Sequence, residues 1–200
     1  RLNRLVETEH GALTDYKFND AASSIYQFFW HEFCDWYIEL VKPRLYGEDG
    51  SAKRTAQLVL AHTLEKSLRL LHPMMPFISE ELWQQAPHEG ESICLAPYPQ
   101  AEQRWIDQQA ERDMDLVMGV ITGIRNIRSE FGVKPSQVLQ EVFISCESDD
   151  ELAILSTAAA SVKTLARVEA LTIGNQLARP GVCGAAVVRN VEVYVPIAGL

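Results

Sequence analysis

Apolar positions through the first two thirds of the chain recur at intervals of three or four, the spacing of one face of an α-helix. The densest such run is Phe28-Phe29-Trp30-His31-Glu32-Phe33-Cys34-Asp35-Trp36-Tyr37-Ile38-Glu39-Leu40. Ala22, Ile25, Phe29, Phe33, Trp36 and Leu40 form one stripe, while Phe28, Trp30, Cys34, Tyr37, Ile38 and Val41 cover much of the remaining circumference. A helix apolar on most sides belongs in an interior, so this segment is expected to be the central helix of a bundle, with Trp36 in its core. Its polar interruptions, His31, Glu32, Asp35 and Glu39, are read as a buried or rim hydrogen-bond set rather than a catalytic one, because buried polar groups persist by being satisfied.

The other elements follow in order. Residues 1 to 13 carry a partial helical stripe, with Arg1 and Arg4 one turn apart on a more polar side. Asn19 is the expected cap of the central helix, which should run to about Lys42 and stop near Pro43, before a turn at Gly47, Asp49 and Gly50. Ser51 should cap a third helix that ends at His72-Pro73, and Pro76 should open a short fourth helix inserting Phe77, Ile78, Leu82 and Trp83 into the core. Residues 87 to 100 read as loop with a brief extended piece at Ile93 to Leu95. From Asp107 the helical period returns through Ile121, Ile124 and Arg128 until Gly132 and Pro135.

After Pro135 the texture changes. Glu141 to Ser145 and Arg167 to Ile173 read as strands, Asp149 to Ala158 and Ser161 to Leu165 as helices, and Gly184 to Pro196 as a hairpin bent at Arg189-Asn190. The expected fold is therefore mainly α: an antiparallel helical bundle over residues 1–132, followed by a small α/β subdomain over residues 133–200.

The chain has 200 residues, 47% of them hydrophobic, and a formal net charge of -9. That charge argues against broad, sequence-blind nucleic-acid binding and against DNA as a partner, though a local basic patch remains compatible with it. Cys34, Cys94, Cys146 and Cys183 lie far apart without a Cys-x-x-Cys pair, so reduced thiols in a cytoplasm are expected, with neither a zinc knuckle nor a disulfide framework. No apolar run approaches the ~18 residues of a membrane span. The start at Arg1, without Met and inside a helical pattern, suggests a piece of something longer.

Motifs for catalysis are missing. The sequence holds no glycine-rich phosphate loop, no zinc-protease histidine spacing and no Gly-x-Ser-x-Gly elbow, so no catalytic residue and no metal ligand is assigned. The five histidines read as capping or packing residues, and Glu80-Glu81 and Asp149-Asp150-Glu151 as carboxylates at helix starts. The most suggestive polar stretch runs from Ile121 to Pro135, where Arg125 and Arg128 share a helix face and Lys134 lies just beyond. Two guanidinium forks and an ammonium suit RNA phosphates or base edges. Equally, both arginines could brace the helix against carboxylates such as Glu32, Asp35 or Glu130.

Three segments carry a signature: Trp30 to Pro43, then Leu71-His72-Pro73-Met74-Met75-Pro76-Phe77-Ile78-Ser79-Glu80-Glu81-Leu82-Trp83, then Ile124-Arg125-Asn126-Ile127-Arg128-Ser129-Glu130. In order and spacing along the whole chain they closely resemble the C-terminal region of bacterial valyl-tRNA synthetases, a class I family. His-Pro-x-x-Pro-Phe followed by Glu-Leu-Trp is shared with the isoleucyl and leucyl relatives, whereas Phe-Cys-Asp-Trp-Tyr is more particular to the valyl family. The resemblance implies a helical anticodon-binding domain and a small α/β subdomain leading to a coiled coil that this chain does not contain. It implies tRNA(Val) as partner and a monomeric, cytoplasmic parent. That parent would use ATP with magnesium to join valine to tRNA through valyl-adenylate, and would hydrolyse mischarged threonine. The family's ATP-holding His-x-Gly-His and Lys-Met-Ser-Lys-Ser motifs are not in this chain, so the fragment is expected to need no cofactor and to be non-catalytic.

The candidate RNA-binding residues are Arg1, Arg4, Lys53 and Arg54 at helix starts and polar faces, with Arg125, Arg128 and Lys134 as a second set. The competing readings are a helical protein-interaction scaffold, in which the arginines merely brace, and the equivalent domain of an isoleucyl or leucyl relative.

Overall fold

The computed structural model describes residues 1–48 and 50–197, so the expected turn at Asp49 and the chain end at 198–200 lie outside the described residues. The chain divides into two compact units, Arg1–Asp107 and Gln108–Leu200.

The first unit contains α1 (Leu2–Thr14), α2 (Phe18–Tyr26), a π-helical segment (Gln27–Ile38), α3 (Glu39–Leu45), α4 (Ser51–Leu71) and α5 (Pro76–Gln85). From Phe18 to Leu45 the chain is one continuous rod, and the aromatic run is its π-wound middle. A π-turn hydrogen-bonds i to i+5, so residues five apart come onto one face. Phe28 and Phe33 accordingly enter the core together with Ile25, Leu5, Val6 and Leu70. This winding displaces the expected stripe. Ala22 and Trp30 are exposed and Trp36 is only half-buried, while Trp83 of α5, at 0% exposure, is the buried tryptophan. Phe33 stacks on Tyr37 with ring centroids 6.0 Å apart.

The polar interruptions form a rim set. Glu32 pairs with Arg1 at 3.2 Å, and His31 with Asp35 at 3.2 Å. Pro43 lies inside α3 and does not end it. Gly47, just past α3, is required by close approach, since a Cβ there would stand 2.9 Å from the Pro43 carbonyl oxygen. The cap positions differ from expectation: Lys17, not Asn19, precedes α2, and Gly50, not Ser51, precedes α4.

Pro76 does open α5, where a missing N–H costs nothing. Only Trp83 of the expected four apolar side chains is buried, with Leu68 and Ile93, whereas Phe77, Ile78 and Leu82 are exposed. Trp83 Nε1 donates to Glu65 at 3.0 Å, and Arg69 grips the same carboxylate at 2.8 Å while reaching the Pro97 carbonyl at 2.7 Å. That network binds α4 to α5 and to the loop after it. The expected extended piece at Ile93 to Leu95 is a turn.

The second unit corrects the expected fold class. Its elements are α6 (Gln108–Glu130), β1 (Leu139–Cys146), α7 (Asp149–Thr157), α8 (Ala159–Ala166), β2 (Val168–Asn175), β3 (Cys183–Val188) and β4 (Val191–Pro196). The strands form a four-stranded mixed sheet in the order β2-β1-β4-β3, with β1 and β2 parallel and both other pairs antiparallel. The protein is thus an α/β fold, not a mainly α antiparallel bundle with an appended subdomain. The expected closing helix of that bundle, α6, instead packs on β3 and β4.

Its sequence explains the choice. Gly119 and Gly123 share one face of α6 and let its backbone approach β3, where Val188 and Ala186 stand against them. Helical period shows that α6 has an apolar face; the two glycines suit that face to a flat strand surface rather than to another ridged helix. The acidic run Asp149-Asp150-Glu151 does open α7, and there Ser148 and Glu151 form a reciprocal capping box. The hairpin bends at Arg189-Asn190, with Arg189 at φ 55°.

Candidate nucleic-acid interface

The candidate cations of the first unit sit at helix starts. Arg1 is the N-cap of α1, half-buried and paired with Glu32; Arg4 lies one turn on and is half-buried. Lys53 and Arg54 occupy the first turn of α4. Arg54 is exposed, and Lys53 Nζ reaches the Gly47 carbonyl at 3.5 Å.

The cations of the second unit are brought together around a hollow of about 610 Å³, lined by Arg125, Arg128, Lys134, Pro135, Leu165 and Arg167 among others. Arg128 forms its wall. Its Nη1 donates to the Ala166 carbonyl at 2.7 Å, and its Nη2 to the carbonyls of Lys134 at 2.9 Å and Gln137 at 2.5 Å. Arg125 Nη2 donates to the Leu165 carbonyl at 2.9 Å. Leu165 and Ala166 end α8, which Arg167 closes in the left-handed region at φ 54°. Carbonyls at a helix C-terminus lack intrahelical partners and carry the negative end of its dipole, so they attract guanidinium groups. Arg128 is therefore a brace, and it braces on carbonyls, not on the carboxylates considered from the sequence.

The hollow remains positive. Burial lowers the Arg128 pKa, and the neighbouring Arg167 and Arg125 lower it further. Arg125, Lys134 and Arg167 are exposed. Arg167 is the residue that sequence reasoning missed, because nothing local in β2 or α8 announces that the chain reversal at Ala166 brings it beside α6.

A separate polar cluster also escaped the sequence reading. His72, Glu80 and Cys94 converge, their potential ligand atoms within 4.8 Å of one another. Glu80 is not a helix-start charge; it accepts from Gln84 Nε2 at 2.8 Å, Ser92 Oγ at 2.8 Å and the Ile93 amide at 3.1 Å.

Residues 1–144 match the family described as "Anticodon-binding domain of tRNA ligase". The chain belongs to that family, and so to a class of domains named for recognition of a tRNA anticodon. Its relatives narrow the comparison further. A valine–tRNA ligase of Geobacter sulfurreducens is 48% identical over 100% of this chain and 23% of its own length. Those of Syntrophotalea carbinolica and Thermosynechococcus vestitus are 43% and 42% identical, again over 100% of this chain and over 23% and 22% of their lengths. The chain thus spans less than a quarter of the relatives it matches. Among the described residues no helix is long and apolar enough to cross a membrane.

Proposed function

We propose that this chain is the anticodon-binding part of a valine–tRNA ligase and that it holds the anticodon end of tRNA(Val). One observation carries the reading: an anticodon-binding-domain match over residues 1–144 coincides with relatives, each called valine–tRNA ligase, aligned along the whole chain. In the parent, ATP and magnesium serve the formation of valyl-adenylate. This chain holds neither ATP-binding motif, and no step of that chemistry is assigned to its residues. We take the parent to act as a cytoplasmic monomer.

RNA phosphates are met by small cationic groups in a generally acidic protein. Arg125, Lys134 and Arg167 around their hollow form one such group, with Arg128 shaping its wall. Arg1 and Arg4 at the start of α1, and Lys53 and Arg54 at the start of α4, are two further cationic pairs. With a net charge of -9, affinity is set by few contacts against a repulsive field, so binding is weak in isolation and steep in salt.

The test is titration of labelled tRNA(Val) at low and moderate salt, with Arg1 and Arg4 neutralised together, with Arg125 and Lys134 neutralised together, and with Lys163 neutralised as a control. Each lost phosphate contact should reduce the salt slope by about 1 and weaken matched and anticodon-swapped tRNAs alike. A base contact acts mainly on the matched anticodon. Equal binding by the parent and both double variants would move the RNA surface elsewhere.

A further inference from the structure

His72, Glu80 and Cys94 come from three separate pieces of backbone: the C-cap of α4, the middle of α5, and the turn that follows Ser92. Ser79 Oγ has one hydrogen and lies 2.8 Å from the Met75 carbonyl, 3.2 Å from that of Pro76 and 2.8 Å from His72 Nδ1. With that hydrogen on a carbonyl, Ser79 Oγ accepts from His72 Nδ1 in the tautomer that carries the ring proton there. The Nε2 lone pair is left to face Cys94 Sγ at 3.1 Å. Ser79 is fully buried, so this orientation is held from behind, as the outer partner of a metal-bound histidine holds it.

Glu80 is likewise held. Hydrogen bonds from Gln84 Nε2, Ser92 Oγ and the Ile93 amide fix the carboxylate in place. Gln84 holds one carboxylate oxygen and Ser92 the other, while the single Ile93 amide hydrogen is shared between the two at 3.4 and 3.1 Å. A metal bond to either oxygen competes only with its half of that shared contact.

We propose that His72 Nε2, Cys94 Sγ and a Glu80 carboxylate oxygen form a three-ligand site for a divalent transition-metal ion, zinc foremost, with a fourth position open to water. Imidazole, thiolate and carboxylate together are a donor set that zinc accepts, whereas magnesium and calcium prefer oxygen alone. Binding replaces the Cys94 thiol proton, which passes to solvent; thiolate and carboxylate then balance the two positive charges of the ion. Zinc bonds of ~2.0 Å to nitrogen and ~2.3 Å to sulfur set these atoms roughly 3.5 Å apart in a tetrahedral centre. The present separation must open by a few tenths of an ångström, and Cys94 sits on an exposed turn that can give. The ion clips the loop after α5 to the end of α4 and the middle of α5.

The test uses metal-free protein without a histidine tag, titrated with cobalt(II) while thiolate-to-cobalt charge-transfer absorption is recorded, followed by displacement with zinc. One equivalent should saturate the band. Cys94→Ser should abolish it and weaken binding at least tenfold, Glu80→Gln should weaken binding, and Cys183→Ser should leave both unchanged. Because Cys94 is exposed, the metal-free Cys94→Ser protein should melt as the parent does, and zinc should raise the melting temperature of the parent alone. Absence of a saturable band in the parent, or its persistence in Cys94→Ser, overturns the site. So does a zinc-induced rise in melting temperature that is equal in both proteins.

Discussion

Arg128 Nη1 donates to the Ala166 carbonyl at 2.7 Å, across 38 residues of sequence. With its second nitrogen on the carbonyls of Lys134 and Gln137, one guanidinium secures the end of α8 and the approach to β1. Arg128→Met should therefore destabilise the protein by about 2–4 kcal/mol, because buried carbonyls lose a charged donor that no methyl replaces. Arg128→Lys should recover little of the loss, since an ammonium cannot serve both ends of the planar fork. Urea unfolding measures both, and parental midpoints would show that the carbonyls are satisfied without the side chain.

Two tryptophans that look alike in sequence should behave differently. Trp83, fully buried against Leu68 and Ile93, should cost about 3–5 kcal/mol when replaced by alanine. Trp36, half-buried beside the π-wound core, should cost less than half as much. Thermal or urea melts of Trp36→Ala and Trp83→Ala in parallel test the ranking, and the reverse order would place the aromatic run in the centre after all.

Glu9 links stability to pH. It is fully buried, accepts from Ser24, and has its pKa raised by burial, with the Ser24 bond opposing the shift. A raised carboxyl pKa in the folded state means that the unfolded chain ionises first. The stability Glu9 allows is thus complete below the ordinary glutamate range and falls as pH rises through that range to the folded pKa. Glu9→Gln should melt at a higher temperature than the parent at pH 7, with the difference shrinking towards pH 4. A constant difference across that range would mean that Glu9 does not titrate differently on folding. Tyr98, whose pKa burial and then Glu9 push up to about 12, should stay protonated throughout.

The seat of α6 on β3 can be tested one methyl at a time. A Cβ on Gly119 would stand 2.6 Å from Val188 Cγ1, whereas one on Gly123 would meet Ala186 Cβ at 3.4 Å. Gly119→Ala should destabilise by roughly 1–3 kcal/mol through overpacking against a stiff β-branched residue. Gly123→Ala should be neutral or gain up to about 1 kcal/mol from helix propensity. Adding Val188→Ala to Gly119→Ala should remove most of the penalty, and strict additivity in that double-mutant cycle would exclude the contact.

Element positions were legible in the sequence because they rest on local physics: the apolar period of α1, α4 and α6, Pro76 at the start of α5, the acidic run Asp149-Asp150-Glu151 at the start of α7, and the alternation that makes β3 and β4 a hairpin. The stretch Ile124 to Glu130 also stood out, through its paired arginines and its family resemblance. What covers each face was decided only in three dimensions. Periodicity reports that α6 has an apolar side, but strand and helix partners present similar hydrophobicity and differ in shape, which the sequence shows only through Gly119 and Gly123. The π winding of Gln27–Ile38 keeps Phe33 of the expected stripe in the core but brings in Phe28 in place of Phe29 and Trp36, since a pattern read at 3.6 residues per turn misplaces side chains where the backbone bonds five apart. The carbonyl partners of Arg128 and the meeting of His72, Glu80 and Cys94 left no local trace, because a backbone oxygen has no residue type and a ligand distance is set by where separate segments are packed.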